Sequence, residues 1–188
     1  MSVPAAAVAI RACTPEDAPA LALVGAATFL ETFAGVLGGA DVLAHCQRAH
    51  APETYLSWLQ GPECAVFMAV ASPGAAPVGY LVLAPPALPV ATGAGDLEVK
   101  RIYLLHRFQG SGLGRRLMDA ARTHARAIGV RRLLLGVYAH NHDALGFYRC
   151  HGYREVGRRT FEVGGTGYED VVLALDLESL PTASREIA

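Results

Sequence analysis

A glycine-spaced loop, Gln109-Gly110-Ser111-Gly112-Leu113-Gly114, joins a strand-like segment, Asp96–Leu105, to a helix-like one, Gly112–Ile128. The helical reading rests on an apolar stripe of Leu113, Leu117, Ala121, Ala125 and Ile128, with Arg115, Arg116, Asp119, Arg122 and Arg126 mostly on other faces. Gly129 is its expected stop. A helix start leaves amide N–H groups without intrahelical partners and carries the positive end of the helix dipole, so such a junction is suited to an anion. Two familiar owners fail on spacing. A P-loop needs Gly-Lys followed by Ser or Thr at the helix start, where this chain has Gly114-Arg115-Arg116. The dinucleotide pattern fails when counted from either Gly110 or Gly112.

Around this junction the chain alternates short strands and helices. Val8–Ala12 reads as a strand, followed by a helix start at Thr14-Pro15-Glu16-Asp17 with proline in the first helical position, running through Ala18–Phe33. A second helical stretch covers Asp41–Gln60 with gaps. Cys64–Ala71 and Val78–Ala84 form a hairpin around Ser72-Pro73-Gly74, and Pro85–Gly95 is a loop. Leu133–Tyr138 is so uniformly apolar that it reads as a central strand covered on both faces. Ala144–His151 is a short helix, and Arg159–Val163 and Tyr168–Leu177 are strands joined by Gly164-Gly165-Thr166-Gly167. With no repeat and no linker, one domain over residues 1–177 with a tail at 178–188 is expected.

Composition excludes several classes. Of 188 residues, 52% are apolar and 18% charged, which describes a globular chain with a real core rather than a disordered one. A net charge of −1 gives no field for nucleic acid or an anionic membrane, and the arginines lack the aromatic interleaving of a nucleic-acid surface. Four scattered cysteines show neither zinc spacing nor a disulfide framework, and His140-Asn141-His142 lacks a third ligand, so no metal is expected. The N-terminus lacks the basic region of a signal peptide and no apolar run is long enough to span a bilayer. A cytoplasmic enzyme follows as the expectation.

Read as Q-x-x-G-x-G, the loop resembles the pyrophosphate loop of the GNAT N-acetyltransferase superfamily. Three further segments, in the family's order, share the resemblance. Leu97–Leu104 is similar to its fourth strand. Asn141-His142-Asp143-Ala144-Leu145-Gly146-Phe147-Tyr148 with His151-Gly152-Tyr153 is similar to its N-x-x-A-x-x-F-Y signature. Ile10-Arg11 with Glu16-Asp17 is similar to its opening. The resemblance implies an α/β (α+β) fold: a mixed, mostly antiparallel sheet of about six to seven strands, helices on both faces, splayed between the fourth and fifth strands. It also implies acetyl-CoA as cosubstrate. Backbone groups of Ile102, Tyr103 and Leu104 would pair with the pantetheine arm. Amides from Gln109 through Gly110, Ser111, Gly112, Leu113 and Gly114, with Arg115, would hold the pyrophosphate, and Asn141 would bond nearby. Tyr148 would protonate the departing thiolate.

The implied chemistry is attack of a neutral primary amine on the thioester through a tetrahedral oxyanion. Such an amine has an ordinary pKa of ~10.4 and needs a proton acceptor, for which Glu98 is the candidate. In one branch of the family a glutamate on the fifth strand serves instead, and the matching position here is Gly136. Each residue also has a plainer reading: Tyr148 as core, Glu98 as a surface carboxylate, Asn141 as a helix N-cap. Thr28-Phe29-Leu30-Glu31-Thr32-Phe33 resembles a stretch of PaiA-type spermine/spermidine acetyltransferases, which implies a polyamine or other small amine as acceptor. Phe29, Glu31 and Phe33 are then the candidate substrate residues, with helix core as the alternative for the two phenylalanines. A peptide N-terminal acetyltransferase and a non-catalytic acyl-CoA-binding module are the other readings; monomer and homodimer both fit.

Overall fold

Period-two burial builds one sheet and loads both of its faces. A computed structural model describes residues 7–163 and 166–178. The chain runs β1 (Val8–Ala12), α1 (Ala18–Phe33), α2 (Gly39–Ala49), α3 (Pro52–Gln60), β2 (Ala65–Ala71), β3 (Ala76–Ala84), β4 (Asp96–Leu104), α4 (Leu113–Ala127), β5 (Arg132–Tyr138), α5 (His142–Cys150), β6 (Arg154–Val163) and β7 (Thr166–Asp176). Residues 1–6, the glycine pair 164–165 and most of the expected tail, 179–188, lie outside the described residues.

The sheet is seven-stranded, in the order β1-β2-β3-β4-β5-β7-β6. Every neighbouring pair is antiparallel except β4 and β5. That parallel ladder is short: Asp96, Leu97 and Glu98 face Arg132, Leu133 and Leu134. Beyond it β4 stays with β3 as far as Leu104, while β5 stays with β7 as far as Tyr138, so the two strands splay apart. The β3–β4 register slips where Val82 faces Arg101 but Leu83 faces Val99, making Lys100 an extra, bulged residue. The bulge falls next to the last parallel pair and bends β4 away from β5.

Odd-numbered residues of β3 and β5, Leu81, Leu83, Leu133, Leu135 and Val137, point to α4 and α5, where Leu117, Met118, Ala121, Ala125, Leu145 and Tyr148 complete the larger core. Even-numbered residues of β2 and β3, among them Val66, Met68, Tyr80 and Val82, meet Leu21 and Val24 of α1 and Tyr55 of α3. Each such aliphatic side chain contributes about 1.5–3 kcal/mol on burial. Leu88 and Val90 of the loop before β4 cover Leu134, Val172 and Ala174. The uniformly apolar β5 is therefore buried on both faces.

Two expectations shift. Pro52 opens a new helix, so the gapped stretch is two helices, α2 and α3. Ile128 does not join the stripe of α4: the helix ends at Ala127, Gly129 takes a φ of +78°, and Ile128 is 54% exposed.

Candidate active site

Gly110 and Gly112 have φ of +70° and +80°, and Gly112 is the N-cap of α4. Left-handed backbone at both positions turns the chain so that successive amides face outward together. The amides of Gly110, Ser111, Gly112, Leu113, Gly114 and Arg115 donate to no acceptor among the described residues; the first helical bond of α4 runs from Arg116 to Gly112 (3.1 Å). Side chains fix this shape from below. Ser111 Oγ donates to the Phe108 carbonyl (2.5 Å) and Gln109 Nε2 to the Leu104 carbonyl (3.2 Å). Leu113 is buried, and a methyl group at Gly114 would meet the Phe147 ring at 3.6 Å, so α4 approaches α5 closely there. Arg115 is exposed and pairs loosely with Asp119 (3.7 Å).

The loop stands at the open end of the splay. On the β4 side Ile102, Tyr103 and Leu104 pair with Leu81, Tyr80 and Gly79 of β3 and have no ladder to β5. On the α5 side Tyr148 is buried, with its ring edge-on to Phe147 and Tyr153. Its hydroxyl makes no hydrogen bond with any described residue, although the ring belongs to the core. Burial, and then the nearby phenols of Tyr153 and Tyr103, hold that hydroxyl far above the ordinary tyrosine pKa, so it stays protonated. Asn141 caps α5, its Oδ1 accepting from the Ala144 amide (3.1 Å).

The opposite face of the sheet, under α1, α2 and α3, is the more polar. Glu98 is 3% exposed, and its Oε2 accepts from Lys100 Nζ (2.6 Å) and the Ala87 amide (2.8 Å). It is thus no surface carboxylate: it anchors the loop before β4 and neutralises the bulged lysine. Where the resemblance pointed to Gly136, a Cβ would lie 2.7 Å from the guanidinium of Arg159. That guanidinium pairs with the buried Asp170 (3.0 Å). Burial raises the Asp170 carboxyl, against the opposing pull of Arg159. An arginine–aspartate pair therefore fills the space above the glycine.

Of the α1 residues, Phe29 is buried, tilted against Phe33 (4.5 Å between ring centroids) and stacked on His45 (4.2 Å). Glu31 is exposed, and its Oε2 accepts from the His106 amide (2.9 Å), tying α1 to the turn that leads into the glycine loop. Sequence reasoning missed a buried network beside them. Tyr55 donates to the Tyr80 hydroxyl (3.1 Å), His50 Nδ1 lies 2.8 Å from the Tyr55 hydroxyl, and Arg101 Nη1 donates to that hydroxyl (2.9 Å). Nδ1 of His45 is buried without a partner among the described residues. Burial first, then the charge of Arg101, lowers His50 to about 3 and His45 to about 4. Five polar groups from α2, α3, β3 and β4 meet here across a proline break, so no helical or strand period connects them in the sequence. Among the described residues no His, Cys, Asp or Glu side chains cluster as metal ligands, and no helix is long and apolar enough to cross a membrane.

A family model described as "Acetyltransferase (GNAT) family" matches residues 40–153, more than half of the chain. The chain belongs to the acetyltransferase (GNAT) family. It is 36% identical over 77 residues to an uncharacterised N-acetyltransferase of the pepI 3′ region of Lactobacillus delbrueckii subsp. lactis, a stretch covering 41% of this chain and 44% of that one. It is 34% identical over 82 residues to an uncharacterised N-acetyltransferase of Mycobacterium tuberculosis, covering 44% and 53%. The chain thus spans about half the length of these curated relatives. Among solved structures it resembles the PaiA N-acetyltransferase of Thermoplasma acidophilum in complex with coenzyme A, with a TM-score of 0.70, 17% identity, and coverage of 90% of this chain and 99% of that one. At that identity the likeness establishes the GNAT fold: one mixed sheet, splayed between β4 and β5.

Proposed function

We propose that this GNAT protein transfers an acetyl group from acetyl-CoA to a primary amine. The observation that carries the reading is the run of outward-facing amides from Gly110 to Arg115 at the mouth of the splay, a cradle fitted to a pyrophosphate. Acetyl-CoA would supply the activated thioester. The chain's own residues would do the rest. Gly110 to Arg115 would hold the phosphates by their amides, the Gln109 amide being taken by the His106 carbonyl (3.0 Å); the unpaired edge at Ile102–Leu104 would receive the pantetheine arm as an added strand, and Asn141 would border it. Tyr148, protonated and uncommitted, is assigned the transfer of a proton to the leaving sulfur. Glu98 is assigned the acceptance of the amine's proton through Oε1, since only Oε2 is bonded in the structure.

The polyamine acceptor implied by the Thr28–Phe33 stretch draws little from the site: Glu31 is bonded to an amide and Glu98 to a lysine. The reading is tested by following thiol release from acetyl-CoA with a panel of spermidine, amino sugars, amino acids and peptide N-termini. Turnover with one class of amine, reduced about 10²-fold or more in kcat by Tyr148→Phe, is the expected result. Tight CoA binding with no turnover for any amine would overturn it in favour of a binding module.

A further inference from the structure

The face of the sheet opposite the phosphate cradle carries three cations, Lys100, Arg101 and Arg159. Two carboxylates there are already spoken for: Glu98 binds Lys100 and Asp170 binds Arg159. Arg101 makes no ion pair with any described carboxylate. Its neighbours are neutral: the Tyr55 hydroxyl at 2.9 Å, Nδ1 of His50 at 3.3 Å, and the rings of Trp58 and Tyr55 at 4.8 and 5.3 Å. A partly buried guanidinium without a counter-charge is costly, and here it is held rigidly by stacking and hydrogen bonds rather than released to solvent. The unpartnered Nδ1 of buried His45 adds a second unused polar atom, its ring 5.7 Å from that of His50.

We infer that Arg101 binds an anionic group of the acceptor, so that the amine acetylated by this protein carries a carboxylate or a comparable oxyanion. This deepens the acetyl-transfer reading and rests on it. A planar guanidinium with a fixed fork suits a carboxylate, while Phe29, Phe33 and Phe161 supply apolar walls for the body of the acceptor. The same charge arrangement disfavours a polycation, which would meet an uncompensated arginine while Glu98 and Asp170 each already pair with a cation.

The experiment compares amino acids with their primary amides, and both with spermidine, in the thiol-release assay. Wild type is expected to favour a charged acid over its amide by about tenfold or more in kcat/KM, and Arg101→Gln to cut activity on the acid by about 10- to 100-fold while sparing the amide. Arg101→Lys should retain the preference at reduced affinity. Equal use of acid and amide by wild type, a preference for spermidine, or the same loss on both acceptors in Arg101→Gln would overturn the inference and leave acetyl transfer standing. Failure of every amine tested to release thiol would overturn acetyl transfer instead. Calorimetry then reads the subsite without turnover: binding of an N-acetyl amino acid to the CoA complex, weakened by Arg101→Gln, supports it, and binding equal to that of the N-acetyl amide overturns it.

Discussion

A methyl group added at Gly25 would sit 2.0 Å from the Tyr55 hydroxyl and 2.5 Å from Nδ1 of His50. Both atoms belong to a buried network that cannot move aside, so Gly25→Ala is expected to cost about 1–3 kcal/mol in chemical denaturation. A stability within a few tenths of wild type would show the network to be pliable. At Gly136 the obstacle is charged. Gly136→Glu would drive the Arg159 guanidinium off Asp170 and strand a carboxyl already raised by burial. Folding should weaken while the glycine loop, proposed to hold CoA, is untouched, so CoA affinity by calorimetry should stay within about twofold of wild type. The sequence shows only that a carboxylate is missing at position 136. That an arginine from β6 occupies its place requires the β5–β7–β6 register, which sequence spacing does not encode.

The glycine loop and α4 were legible because a helix start and left-handed turns demand the same residues in the same few positions. Gly112→Val puts a β-branched side chain at φ +80°, a strain of about 1–2 kcal/mol, and should weaken CoA binding by tenfold or more. Unchanged affinity would remove the loop from the site. The same logic made β5 readable from its unbroken apolar run. The bulge at Lys100 was hidden: a bulge is a mismatch between two strands and leaves no mark on either alone. Arg154–Val163 was read too short for a related reason. Its outer residues, Arg154, Glu155, Val156 and Arg158, are exposed on an edge strand, and solvent-facing positions carry little apolar pattern. Asn141 was legible as an N-cap, and its side-chain oxygen starts α5 at the edge of the splay.

Across the whole molecule, the layers are locked by groups that titrate. His50 is held near 3 and His45 near 4 in the folded chain, against an ordinary 6.5. Below pH 6.5 the unfolded chain binds protons that the folded chain refuses, so stability falls with falling pH, by about 1.4 kcal/mol per unit for each imidazole until its folded value is reached. Denaturant melts at pH 6 and pH 5 should show this slope, and His50→Gln should remove about one imidazole's share. An unchanged slope would mean that His50 already titrates normally. The ion pair at the bulge has a consequence of a different kind. Lys100 is the only lysine in the chain, and its ammonium is 19% exposed and bound to Glu98 at 2.6 Å. If acetyl-CoA is the donor, as proposed, the chain thus offers it a single lysine amine, and that amine is engaged by Glu98. Incubation with excess donor should leave the polypeptide mass unaltered at every side chain, and amine-directed dyes or cross-linkers will find almost no purchase on its surface.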